Sequence, residues 1–102
     1  MFESNVLPKP PASAIVGTTS MEIVPANSRR LGLVITVTTL GRAVSLSLNG
    51  ETDPAVLYSG ITLFERGTYV MDEFLFSYHA VCAIASAPGT NIAIQEFELD
   101  EM

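Results

Sequence analysis

From Thr18 onward, apolar and polar residues take turns along the chain with a period of two. Met21 and Ile23 alternate with Ser20 and Glu22 until Pro25 ends the run, and Ala26-Asn27-Ser28 supplies turn chemistry. Leu31, Leu33, Ile35 and Val37 fall on one side of an extended chain, with Gly32, Val34, Thr36 and Thr38 on the other. Val44, Leu46 and Leu48 alternate with Ser45 and Ser47 before Asn49-Gly50, a strong turn signal. Half-buried antiparallel strands produce this pattern. Short apolar runs follow at 55–58 and 61–64, and Glu65-Arg66-Gly67 reads as a hairpin loop leading into 68–74. Residues 80–85 are small or β-branched, which suits a central strand covered on both faces. A turn at 87–91 introduces the last strand, 92–99, where the apolar phase shifts from Ile92 and Ile94 to Phe97 and Leu99. That shift predicts a β-bulge near Gln95 and Glu96.

Seven or eight short strands at a spacing of about ten residues, without an amphipathic helix, predict an all-β fold. The expected architecture is an antiparallel β-sandwich, jelly-roll-like or flattened towards a barrel, over residues 18–102. Residues 1–17 break the pattern. Pro8, Pro10 and Pro11 crowd around Lys9, and proline fixes an extended path while removing sheet donors. Apolar residues persist there, among them Phe2, Val6, Leu7 and Ile15. An extended N-terminal arm lying on a neighbouring subunit accounts for both features, with Phe2, Leu7, Pro8, Pro10 and Pro11 as its contact residues. A disordered terminus is the plainer alternative.

Composition then bears on partners. A chain of 102 residues is expected to form one domain. Charged residues make up 16% of it, against about 25% in an ordinary globular protein. Small monomers have much surface to cover, so this shortage predicts an assembly component or a homo-oligomer, with a trimer favoured. Through Arg66 five acids balance five bases, and beyond it lie six acids and no base, so the net charge of −6 arises in the last third. An acidic chain without a basic stripe is not expected to bind nucleic acid. The N-terminus lacks a basic secretory region, and the longest uncharged apolar-rich stretch, 31–41, is far short of the roughly 20 residues a bilayer requires. The expectation is a soluble protein, made in a cytoplasm, with no membrane partner.

Chemistry-bearing residues are sparse. Cys82 is the lone cysteine and sits in an apolar run, where a buried inert thiol is expected. His79 is the lone histidine, so a zinc site of several His or Cys ligands cannot be assembled from one chain. Ser77, His79 and Asp72 spell a nucleophilic triad on paper but lack the glycine geometry of a nucleophile elbow. Glu96 and Glu98 share one strand face and could hold a hard cation such as calcium, although a solvated outer face explains them as well. The sequence thus points to no catalytic residue, no metal or cofactor site and no small-molecule substrate; an enzyme is not expected.

Several features together resemble a family of small β-sandwich virion proteins of tailed bacteriophages. The likeness spans about residues 20–99. It begins with Asn27-Ser28-Arg29-Arg30 leading into the apolar strand 31–37, followed by a strand that closes on Gly50. It continues with Gly60-Ile61-Thr62-Leu63 before Gly67, then the alanine-rich 80–85, Gly89-Thr90 and the acid–aromatic pair Glu96-Phe97. Two departures are visible: Phe64-Glu65-Arg66 replaces a proline–glycine turn, and no tryptophan follows Glu96. The resemblance implies a structural role in the virion, as a decoration (cement) protein on the capsid surface, bound to the major capsid protein and often trimeric. Arg29, Arg30 and Arg66 are then candidate polar anchors, since guanidinium groups pair bidentately with carboxylates. The rival reading is a receptor- or sugar-binding β-sandwich of a phage tail, fibre or spike, for which exposed aromatics are expected.

Overall fold

The computed structural model describes residues 6–71 and 75–100. Among these, nine strands form and no helix. They are β1 (Val6–Pro8), β2 (Ala12–Val16), β3 (Met21–Val24), β4 (Arg30–Val37), β5 (Val44–Ser47), β6 (Ile61–Leu63), β7 (Thr68–Val70), β8 (Val81–Ala85) and β9 (Thr90–Leu99). Two antiparallel sheets face each other as a sandwich. One runs β4 between β7 and β9, with β1 and β2 laid end to end along the far edge of β9; the other runs β3-β8-β5-β6.

Most of the core consists of inward positions that the alternation marks, with two corrections: Leu31 and Met21 are 44% and 37% exposed, and Val24 is buried because the register of β3 shifts between Glu22 and Val24. Leu33, Ile35 and Val37 of β4 and Ile92 and Ile94 of β9 meet Val44, Leu46, Val81, Ala83 and Ala85 of the other sheet, all buried. Tyr69 and Met71 close one side, and Tyr69 donates its hydroxyl to the Leu75 carbonyl at 2.6 Å, so its polar end is satisfied. Strand β8 is covered on both faces, as its composition predicts: Cys82 is only 8% exposed although it points away from the core. The covering element is the connection between β5 and β6. Gly50 lies so close over β8 that a Cβ there would stand 2.6 Å from Cys82 Sγ and 2.9 Å from the Ala80 carbonyl. Asn49-Gly50 therefore begins a long crossing and does not close a two-residue hairpin. Residues 55–58, read as a strand, are loop and turn within that crossing, with Ala55 buried and its amide held by Ser20 Oγ at 2.8 Å.

The segment read as an arm also departs from expectation in its described part. Val6–Pro8 and Ala12–Val16 pair with β9 of their own chain, and Val16 joins the core with no exposed surface. Prolines permit this because they sit where donors are dispensable. β1 and β2 form a sheet edge, and Pro10 and Pro11 occupy the gap between them, where the Lys9 amide still bonds the Glu96 carbonyl at 2.9 Å.

The expected bulge in β9 is absent. Thr90, Ile92, Ile94 and Glu96 continue one inward row without interruption. The extra residue is Leu31, on β4, between Arg30 opposite Glu98 and Gly32 opposite Phe97. The pattern misled because a carboxylate, Glu96, occupies an inward position.

Candidate functional site

That inward carboxylate organises one end of the sandwich. Arg30, at the start of β4, is completely buried, and its Nε donates to Glu96 Oε2 at 2.8 Å. Its Nη1 donates to the carbonyls of Ser77 and His79 at 2.7 and 3.0 Å, and Nη2 to the Pro25 carbonyl at 2.8 Å. One side chain thus ties β4 and β9 to the loops that end β3 and begin β8. Asn27 Nδ2 donates to Glu96 Oε2 at 3.3 Å and to Glu98 Oε1 at 3.0 Å, while its Oδ1 accepts the Arg29 amide at 2.9 Å. Lys9 Nζ completes the cluster 3.3 Å from Glu96 Oε1. Burial pushes the Glu96 carboxyl up, but the hydrogen bonds from Arg30 and Asn27, the Arg30 charge and Lys9 outweigh it and hold the group below the usual carboxylate range. Lys9, Glu96, Ile23 and Pro25 also line a pocket of about 200 Å³ between the sheet edges.

The sequence-derived anchors therefore divide. Arg30 is corrected: a guanidinium with no exposed surface, bonded to one carboxylate and three carbonyls, is an internal tie and not a surface anchor. Arg29 is half-buried, with Nη2 donating to the Leu99 carbonyl. Arg66 is exposed at the β6–β7 turn with φ at 63°. Leu7, Pro8, Pro10 and Pro11 are exposed along the edge formed by β1 and β2, and Phe2 lies outside the described residues. Glu96 and Glu98 share a face, as their spacing predicts, but it is the inner one, where nitrogen donors surround them. Among the described residues no group of three or more His, Cys, Asp or Glu is placed to hold a metal ion. Ser77 Oγ donates to the Leu48 carbonyl at 2.5 Å and His79 Nδ1 lies 2.9 Å from Glu51 Oε1, so these two side chains do not engage each other; Asp72 lies outside the described residues.

Two surfaces remain as candidates for contact. The first is the outer face of the sheet built on β9 and β4. Its outward positions are Gly32, Val34 and Thr36 on β4, Asn91, Ala93, Gln95, Phe97 and Leu99 on β9, and Thr68 and Val70 on β7. The edge adds Ser13 and Ile15 from β2 and Val6 and Pro8 from β1. None of these is charged. No described loop crosses this face as residues 48–60 cross the opposite one, and Ile15 and Val70 stand 59% and 56% exposed upon it.

The second surface is at the end of the sandwich away from Arg30. Tyr58 and Phe64 are 63% and 62% exposed and line a shallow hollow of about 250 Å³ with Arg42 and Glu65. Glu65 Oε1 accepts the Gly41 amide at 2.6 Å, pinning the β4–β5 connection to the β6–β7 turn. Tyr58 is held at φ 64°, its amide donating 2.8 Å to the buried Ser45 Oγ. Left-handed backbone at a non-glycine residue costs about 1 kcal/mol or more and persists only where neighbours enforce it. Both such residues among the described ones, Tyr58 and Arg66, flank this hollow or its turn. Arg42 Nε is buried without a partner among the described residues. Of this group only Arg66 was a candidate contact residue from the sequence; Tyr58 and Phe64 fall in separate turns, Arg42 lies well upstream of both, and the three carry no shared motif.

Comparison with family models, curated proteins and solved structures gives no match for this chain.

Proposed function

We propose that this protein is a structural virion component that decorates the capsid shell of a tailed phage, bound to the major capsid protein and to its own copies. The observation that supports this most is the Tyr58–Phe64–Arg42–Arg66 end of the sandwich. Tyrosine and arginine are the residue types that dominate protein–protein contacts, and here Tyr58 and Arg66 project from turns held at fixed backbone angles. A cement protein needs no more than a rigid module with such contact surfaces, and the Arg30 cluster supplies rigidity by tying both sheets together at the opposite end. The resemblance of residues 20–99 to small virion β-sandwich proteins directs the choice of partner.

Mixing the purified protein with phage heads stripped of decoration, followed by gradient sedimentation, tests this reading. Co-migration is expected, with Phe64→Ala and Arg66→Glu weakening it at least about tenfold each. Failure of the intact protein to migrate with heads overturns it. The same exposed rings beside an arginine also favour a second reading, a receptor- or sugar-binding module on a tail or spike. A reproducible glycan-array signal abolished by Tyr58→Ala, without head binding, selects that reading.

A further inference from the structure

The two sheets treat their outer faces differently. The β3-β8-β5-β6 sheet is roofed by residues 48–60, which bury Ser45 and Cys82 although both point away from the core. Among the described residues the outer face of the other sheet has no such roof and no charged residue, in a chain whose net charge is −6.

We propose that this face is the seam between two copies of the chain, packed sheet against sheet about a two-fold axis. The proposal rests on the decoration reading for the expectation that copies touch, and it specifies where they do so. Charge selects the occupant. Two copies at −6 repel wherever their acidic surfaces meet, and this face is where they can approach without opposing like charges. Its polar groups point the same way. At a two-fold seam each residue type meets its own kind or a close neighbour. Hydroxyls and carboxamides both donate and accept, so they can face their own kind even while engaged within the chain, as Thr36 is with Thr68 at 3.0 Å, Asn91 with Thr38 Oγ1 at 2.6 Å and Gln95 with the Lys9 carbonyl at 2.5 Å. Carboxylates and ammonium groups cannot, and none is present.

Area agrees. Four strand positions about 4.8 Å apart, over about eight residues at 3.3 Å each, outline roughly 500 Å². Side-chain relief raises the accessible area towards the ~800 Å² that each partner contributes to a standard interface. The edge argues for stacking in preference to strand addition. Pro8, Pro10 and Pro11 lie along β1 and β2, so that edge offers a broken row of donors to an incoming strand. A hollow of about 200 Å³ among Val34, Thr36, Ala93 and Gln95 leaves room for a facing side chain at the centre.

Sedimentation equilibrium of the purified full chain, without phage heads, tests the seam separately from capsid attachment. At micromolar concentration a dimer or other even-numbered oligomer is expected. Val34→Lys and Ala93→Lys place a charge at the middle of the face, at outward positions that leave the core intact, and each is expected to weaken association at least about 100-fold. Val56→Lys, on the roofing loop of the other sheet, is expected to leave association unchanged. Circular dichroism and thermal melting confirm that each variant is folded. A wild-type monomer overturns the proposal, as does the trimer that the family resemblance implies, and as does an oligomer indifferent to both lysines. Head binding by a wild-type monomer overturns the seam while leaving the decoration reading standing.

Discussion

Arg30 and Glu96 exchange the freedom of surface charges for a fixed internal geometry. Removing one member of a buried pair leaves the other uncompensated, at a cost of about 3–5 kcal/mol. Glu96→Gln keeps the shape but leaves Arg30 without its counter-charge, so a loss in that range is expected in urea unfolding at neutral pH. The pH dependence follows from the lowered carboxyl. A group whose folded pKa lies below its unfolded one stabilises above the unfolded value, near 4.3 for Glu, and loses that contribution as pH falls through the folded value. Wild type and Glu96→Gln are therefore expected to converge in stability as pH falls below about 4, and a constant gap down to pH 2 would contradict the assignment. Gly50 is the other position where one atom decides. Gly50→Ala puts a methyl against Cys82 Sγ and the Ala80 carbonyl. A cost of about 1–3 kcal/mol is expected. Pairing it with Cys82→Ala relieves only the sulfur contact, so recovery should be partial, because the Ala80 carbonyl is main chain and stays.

At the level of elements, β1 and β2 form a strap on β9 whose two halves do different work. β1 has three exposed residues and ends near Lys9, which reaches Glu96; β2 carries Val16 into the core. Deleting residues 1–11 is expected to lower the melting temperature modestly. Deleting 1–17 also removes Val16, whose burial contributes about 1.5–3 kcal/mol, and bares the edge of β9. For a domain of this size each kcal/mol shifts the midpoint by about 4–8 °C, so the longer truncation should melt well below the shorter. Equal melting of full-length and 18–102 proteins would restore the segment to the status of a tail. The same elements explain how far the sequence could be read. Strands β4, β5, β8 and β9 are evident because burial on one face imposes a period of two, and β8 because burial on both imposes small apolar residues. β1 and β2 are hidden: an edge strand has one ladder partner and exposed side chains, so composition carries little trace of it. The site fails to show for a related reason. An inward Arg–Glu pair mimics surface charge in the pattern, and only the register that sets Arg30 across from Glu98, one step from Glu96, reveals the contact.

Over the whole molecule the charges nearly balance at each end of the sandwich, +1 at one and −1 at the other among the described residues. Arg42, Glu65 and Arg66 sit at the Tyr58–Phe64 end and sum to +1, so with −6 overall the rest of the chain carries −7. Among the described residues the other end holds Glu51, Glu96, Glu98 and Asp100 against Lys9, Arg29 and Arg30. The two proposed contacts should answer salt in opposite directions. Attachment through Arg42 and Arg66 to a carboxylate-bearing shell relies on exposed charge, and its attraction is screened as the Debye length shrinks from about 10 Å at 0.1 M to about 3 Å at 1 M. The sheet seam uses no charge, and salt there only screens the repulsion between copies of like net charge. Raising salt over that range is expected to release the protein from heads while leaving its self-association equal or tighter, measured on one preparation by gradient co-sedimentation and sedimentation equilibrium. Dissociation of the oligomer by salt would mean that ion pairs hold it, and since the β4–β9 face carries none, the seam would have to lie on another surface.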